Sequence, residues 1–183
     1  MDILIREVPV TENNPEKSKM SLYQINDNFL RFWFRFVYPE RGRLEIGQTQ
    51  FVLDRIKTNF IDNHAAFIYE NICREELWRL AAAGYLQMNK MGRWWNSGEE
   101  IDIVALDTAG EDIVFAACKY RAQPTDTDVF YGLLRKKDAV PWKNENRRET
   151  FVLFSIGGFT DGLRDLAKNR RDLLLAGENG SLL

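Results

Sequence analysis

Two apolar runs constrain this chain more than any other feature. Residues 101–106 (IDIVAL) and 113–119 (IVFAACK) are dense in β-branched side chains, and the short turn DTAGED joins them into a β-hairpin. Each run carries one charge in an otherwise apolar setting: Asp102 between Ile101 and Ile103, and Lys119 at the end of the second run. Side chains alternate along a strand, so each charge leaves the face its immediate neighbours use, and in a hairpin the two can meet on one face.

The flanking segments extend the pattern. Upstream, residues 3–10 (ILIREVPV) and 21–25 (SLYQI) read as two short strands separated by a polar loop that holds Pro15. Asp27 caps a helix that Pro39 stops, with Phe29, Phe32, Trp33 and Phe36 on one face. That stripe is read as core packing rather than a base-stacking platform. After the turn ERGRLEIG, the spacing of Val52, Ile56 and Phe60 predicts a second helix. Asp62 or Asn63 caps a third, which ends near Ala83 before Gly84. Residues 85–88 (YLQM) and 93–95 (RWW) read as extended. Beyond the central hairpin come a helix around 127–137, a strand at 150–155, a helix around 161–170 and an apolar run, LLLA. From residue 63 the order is helix, three strands, helix, strand: an α/β fold with a mixed sheet and helices on its faces. The organisation expected is a hairpin at 1–25, a helical lead-in at 26–62 and a core at 63–183.

Composition removes several function classes. The 183 residues are 45% hydrophobic and 28% charged, the balance of a globular chain. The formal charge of −2 excludes a globally basic nucleic-acid binder but not a local basic patch. One histidine excludes a multi-histidine zinc site. No GxxxxGK[ST] or GxGxxG motif occurs, so the chain carries no ATPase signature of its own. No apolar run is long enough for a membrane span, and MDILIREVPV does not read as a signal peptide, so a cytoplasmic protein is expected. Cys73 and Cys118 are expected as free thiols, Cys118 facing away from Lys119 as a small apolar residue.

Asp102 and Lys119, joined by Glu70 from the middle of the preceding helix, suit phosphodiester hydrolysis. Carboxylates hold Mg²⁺, the metal activates water and polarises the phosphate, and a lysine stabilises developing negative charge. On spacing alone, a surface carboxylate near a strand-end lysine explains the pair at least as well.

The stretch GRWWNSGEEIDIVALDTAGEDIVFAACKYR resembles the heart of a PD-(D/E)xK nuclease-like domain, whose restriction-endonuclease-like core runs αβββαβ. With the FLRFWFRFV helix and the upstream REVPVTENNPEKSKMSLYQINDNF, nearly the whole chain resembles one particular domain. That is the C-terminal domain of unknown function that follows the ATPase and winged-helix modules of archaeal-type AAA ATPases. The resemblance implies that Glu70 is the helix acid, Asp102 the metal-binding acid of the first central strand and Lys119 the lysine. It also implies that residues 1–25 correspond to the closing hairpin of a winged-helix module. The acid expected two residues before the lysine falls at Ala117, so a methyl group stands where a ligand is expected, and Mg²⁺ or Mn²⁺ is expected to bind weakly. Glu100, two residues before Asp102, is the candidate to replace it as a metal ligand; Asp126 and Asp128 are more remote choices.

The function expected is a degenerate nuclease-like domain of an ATPase that binds DNA or a partner, with weak or no catalysis. Its expected partners are DNA and an AAA-type ATPase module in the same or another chain. The alternative is an active metal-dependent nuclease using Asp102, Lys119 and Glu70 with a relocated acid such as Glu100. A plain dimerisation domain, resting on the aromatic helix, is a third reading. Arg93, Arg121, Arg135 and Lys136 are the candidate nucleic-acid contacts. His64 is expected to be structural.

Overall fold

The computed structural model describes residues 3–177. Five strands form one mixed sheet in the order β3-β4-β5-β6-β7: Lys90–Asn96, Glu99–Leu106, Asp112–Lys119, Arg148–Ser155 and Leu173–Ala176. The first three are antiparallel neighbours; β5, β6 and β7 run parallel. The parallel pairs need crossovers, which α5 (Thr127–Lys136) and α6 (Asp161–Lys168) supply. A long helix, α4 (Ala66–Ala82), precedes the sheet, so the helix, three strands, helix, strand order expected from the sequence is present.

The alternation of the strands divides the core into two layers. Ile103, Ala105, Val114, Ala116, Val152 and Phe154 pack on α4, whose Tyr69, Cys73, Leu77 and Leu80 recur at helical spacing. Val104, Phe115, Phe151, Leu153 and Leu175 pack on the other face against Phe130, Leu133 and Leu163 of α5 and α6. The turn between β3 and β4 is Ser97-Gly98, both at positive φ (45° and 93°), the conformation that suits a two-residue hairpin.

The N-terminal third is built differently. Strands β1 (Leu4–Glu7) and β2 (Leu22–Ile25) pair antiparallel as a separate hairpin. The Val10 N–H, in the segment that connects those two strands, donates to the Arg93 carbonyl at 3.0 Å on the edge strand β3. Gly92 allows that approach, since a Cβ there would lie 3.3 Å from the Val10 Cβ. The Asp27 carboxylate accepts from the Leu30 N–H at 2.7 Å and caps α1 (Asn28–Phe32), as the sequence indicates.

Several expectations need correction. Pro39 does not stop the helical path: it continues through a π-helical turn (Trp33–Val37) and a 3₁₀ turn (Tyr38–Glu40). Proline is tolerated there because it stands in the first turn of the new segment. The supposed turn ERGRLEIG holds another short helix, α2 (Arg41–Glu45). Neither Asp62 nor Asn63 begins a helix. Helix α3 (Thr49–Phe60) runs through a second π-helical turn (Ile61–Ala65) directly into α4. The aromatic stripe is only partly core: Phe36 is buried, whereas Phe29 and Trp33 are 66% and 40% exposed and stack on each other. Residues 85–88 form no strand; β3 begins at Lys90. His64 is buried among Phe32, Phe36 and Phe60, and burial holds its imidazole below the ordinary value.

Candidate functional site

The registers of β3 and β4 are broken at the residue that matters most. Gly92 pairs with Val104 and Trp94 with Ile101, so Asp102 and Ile103 together face the single residue Arg93. This is a β-bulge. It interrupts strict alternation: Ile101 joins the layer of Val104 and Leu106, while Ile103 joins the opposite one. On the other side, the paired register of β4 and β5 reaches only Ile103 and Ala116. Beyond that point the Asp102 carboxylate takes over, accepting the Cys118 N–H at 2.8 Å. Asp102 is therefore an acid set at a fork between strands.

A cleft of about 140 Å³ opens beside it, between the sheet and α5, lined by Glu100, Asp102, Ala117, Lys119, Gly132 and Lys136 among others. Three of the residues singled out for chemistry, Asp102, Lys119 and Glu100, thus share one cleft. Ala117 presents its methyl group to that space. Lys119 is half-buried, and its ammonium makes no hydrogen bond or ion pair among the described residues. The Lys136 ammonium donates to the Glu100 carbonyl at 2.9 Å.

Glu70 is on α4, beside the helix's buried stripe, and its partner is Arg93. The Arg93 Nη2 donates to Glu70 Oε2 at 2.7 Å, and its Nε lies 3.2 Å from Glu100 Oε1 without hydrogen-bond geometry. One guanidinium, 15% exposed, spans acids from two elements. Burial pushes the Glu70 carboxyl above its ordinary value; Arg93 opposes that push and the nearby Asp102 charge adds to it. Burial pulls the Arg93 guanidinium down, but Glu70, Glu7 and Glu100 together hold it above its ordinary value. Arg74 Nη2, 3.4 Å from Glu7 Oε1, continues the network to the hairpin.

These side chains do not fit a divalent ion as they stand. Mg²⁺ asks for oxygen ligands in near-octahedral array. Here Glu70 and Glu100 face a guanidinium, Asp102 accepts a backbone N–H, and position 117 has no oxygen to give. Among the described residues, no group of three or more acid, histidine or cysteine side chains is placed to hold a metal. Asp126 is engaged elsewhere: it caps α5 at Thr127 and accepts from Thr160 at 2.8 Å.

Of the candidate nucleic-acid contacts, Arg93 is committed to the ion pairs and Lys136 to the Glu100 carbonyl, while Arg121 and Arg135 are exposed. The Cys118 thiol is pushed well above its ordinary value, chiefly by burial and also by the Cys73 thiol beside it, which disfavours a nucleophilic thiolate. Sequence reasoning missed the ion-pair role of Arg93 and the involvement of Glu7 and Arg74. Glu7 and Arg74 are separated by 67 positions, so no local spacing announces them. It also missed the buried pair in which the Thr125 hydroxyl donates to the Ser155 hydroxyl at 2.9 Å, tying the approach to α5 to the end of β6. No helix among the described residues is long and apolar enough to cross a membrane.

The chain is 33% identical over 145 residues to the uncharacterized protein MJECL04 of Methanocaldococcus jannaschii. The match covers 76% of this chain and 32% of that protein, so the chain spans about a third of the length of this curated relative. No solved structure matches it. Residues 33–138, which hold the long helices, the bulged hairpin and the cleft, match the model of a family described as archaeal and bacterial proteins of unknown function. The chain belongs to that family, DUF234.

Proposed function

We propose that this chain is a nuclease-like domain that binds rather than cuts, a non-catalytic module of a larger ATPase assembly. One observation carries the reading: every acid of the candidate site already has a partner, and the central position that should supply a further ligand is Ala117. The resemblance to PD-(D/E)xK domains supplies the ancestry; fold alone does not supply the activity. Incubating the natural chain, Asp102→Ala and Lys119→Ala with supercoiled, linear and single-stranded DNA in Mg²⁺ or Mn²⁺ tests it. No cleavage by any of them is expected. Cleavage by the natural chain that Asp102→Ala abolishes would overturn the reading in favour of a nuclease with a relocated ligand.

The surface to which such a module would be held is the N-terminal third. Of the nineteen large hydrophobic side chains exposed among the described residues, fifteen lie between residues 3 and 61. Exposed apolar surface concentrated in this way marks an interaction site. The resemblance makes the occupant a polypeptide of the ATPase, and the relative MJECL04, about three times as long as the match, gives the means of testing it. Hydrogen exchange is compared between full-length MJECL04 and its matched segment alone. Slower exchange at the counterpart of α3 in the full-length protein is expected; equal rates would remove the polypeptide partner.

A further inference from the structure

We infer that Arg93 is a built-in cation: it occupies the charge centre between Glu70 and Glu100 and excludes a divalent ion from the site. The inference rests on the reading above only in taking these acids as the candidate site. It concerns what neutralises them, not what the domain binds.

The argument begins with desolvation. A carboxylate removed from water stays ionised only beside a positive charge that compensates for lost hydration. Glu70 is 19% exposed with the Asp102 charge nearby, and Glu7 and Glu100 join Glu70 around the Arg93 guanidinium. Such a collection of oxygens attracts a hard dication, or else it carries its own cation. Arg93 is that cation. It reaches the collection from β3 exactly opposite the bulge that re-aims Asp102, at 2.7 Å from Glu70 and 3.2 Å from Glu100. Its fork contacts two carboxylates from different elements at once, which a lysine ammonium does less well.

The other basic groups nearby do not take its place. Arg74 pairs with Glu7, and Arg31 lies over the Phe67 ring while donating to Gln24 and the Ile25 carbonyl. Lys119 is on the cleft side with Ala117 and makes no ion pair with Glu70. A dication approaching Glu70 therefore meets a fixed positive charge already seated among its ligands, and this charge cannot be removed by deprotonation. Ala117 and Arg93 act in the same direction: the side chain at 117 offers no oxygen, and a permanent cation stands where the metal's charge would be needed.

The test reads metal binding, not cleavage. Mn²⁺ is titrated into the natural chain, Arg93→Met and Arg93→Met/Glu70→Gln near neutral pH, by calorimetry and by the solution resonance of free Mn²⁺. The natural chain is expected to show no saturable binding. Arg93→Met is expected to bind Mn²⁺ at least roughly tenfold more tightly, and Glu70→Gln is expected to abolish that gain. Saturable binding by the natural chain, or a folded Arg93→Met protein that binds no better, overturns the inference. If Arg93 only braces the fold, Arg93→Met melts earlier without gaining affinity. Should Arg93→Met fail to fold, Ala117→Asp decides. With Arg93 in place, the added carboxylate is expected to recruit no Mn²⁺, and saturable binding there overturns the inference. Saturable Mn²⁺ binding by the natural chain without DNA cleavage would sink this inference and leave the proposed function standing, whereas metal-dependent cleavage that Asp102→Ala abolishes would sink both.

Discussion

The sheet layer and the helical segment before it use similar apolar content to opposite effect. In the sheet, Phe115, Phe151, Leu153 and Ile103 are all at or below 1% exposure, covered by α4 on one face and by α5 and α6 on the other. In the segment from Asn28 to Ile61, Phe29, Trp33, Phe34, Tyr38, Phe51 and Ile61 are all substantially exposed. The sheet closes its own core. The helical segment buries one side, around Phe36, Val52 and His64, and leaves the other uncovered. Apolar periodicity thus states that a face wants burial; it does not state that the same chain provides the cover.

Truncation on the two sides should separate them most sharply. Phe151 stacks on Phe115 and meets Phe130 edge-on at 5.4 Å. Phe151→Ala is expected to cost about 3–5 kcal/mol, through lost transfer energy and the cavity it leaves. Phe29→Ala, at a residue that is equally aromatic but 66% exposed, should fall within about 0.5 kcal/mol of the natural chain. Urea unfolding of both measures the gap. A Phe29→Ala cost approaching that of Phe151→Ala would mean that the aromatic stripe is core after all, and the contrast between the regions would collapse.

A smaller perturbation asks whether the two regions open together. Asp27→Ala removes the cap of α1 and should cost about 1 kcal/mol. If the segment opens as a local unit, amide exchange should quicken between residues 28 and 37 and stay unchanged in β4, β5 and β6. Faster exchange throughout the sheet would instead show a single cooperative unit.

The sequence is most legible where one rule acts alone. Strands β4, β5 and β6 follow from β-branched density, and α5, α6 and the Asp27 cap from local signals. Legibility fails where an element is displaced by one residue. Both π-helical turns absorb an extra residue without ending a helix, so Pro39, Asp62 and Asn63 look like boundaries and are not. The bulge at Asp102 and Ile103 does the same to a strand, shifting which neighbours share a face. Among the site residues, Asp102, Glu100 and Lys119 are brought to one cleft, as the spacing suggests. The commitment of Arg93 to Glu70 depends on a contact across 23 positions between a strand and a helix, which no spacing rule reaches.

The ion pairs at the seam between the two regions offer the finest test. Glu7–Arg74 ties the hairpin to α4, Arg31 ties α1 to α4 through Phe67, and Glu70–Arg93 ties α4 to the sheet. Burial, with the Asp102 charge, raises the Glu70 carboxyl above its ordinary value despite Arg93. The folded chain therefore holds that proton more tightly than the unfolded chain does. Between the ordinary carboxylate value, about 4.3, and the raised one, the folded state binds more protons, so this group's contribution to stability falls as pH rises. Glutamine imitates the protonated acid at all pH values. The stability of the natural chain relative to Glu70→Gln should accordingly decline across the weakly acidic range and level off above it, read from thermal melts at a series of pH values. If the natural chain instead gains on Glu70→Gln as pH rises, the attraction of Arg93 outweighs the burial of Glu70. The seam would then be held by the ion pair itself rather than by the packing that surrounds it.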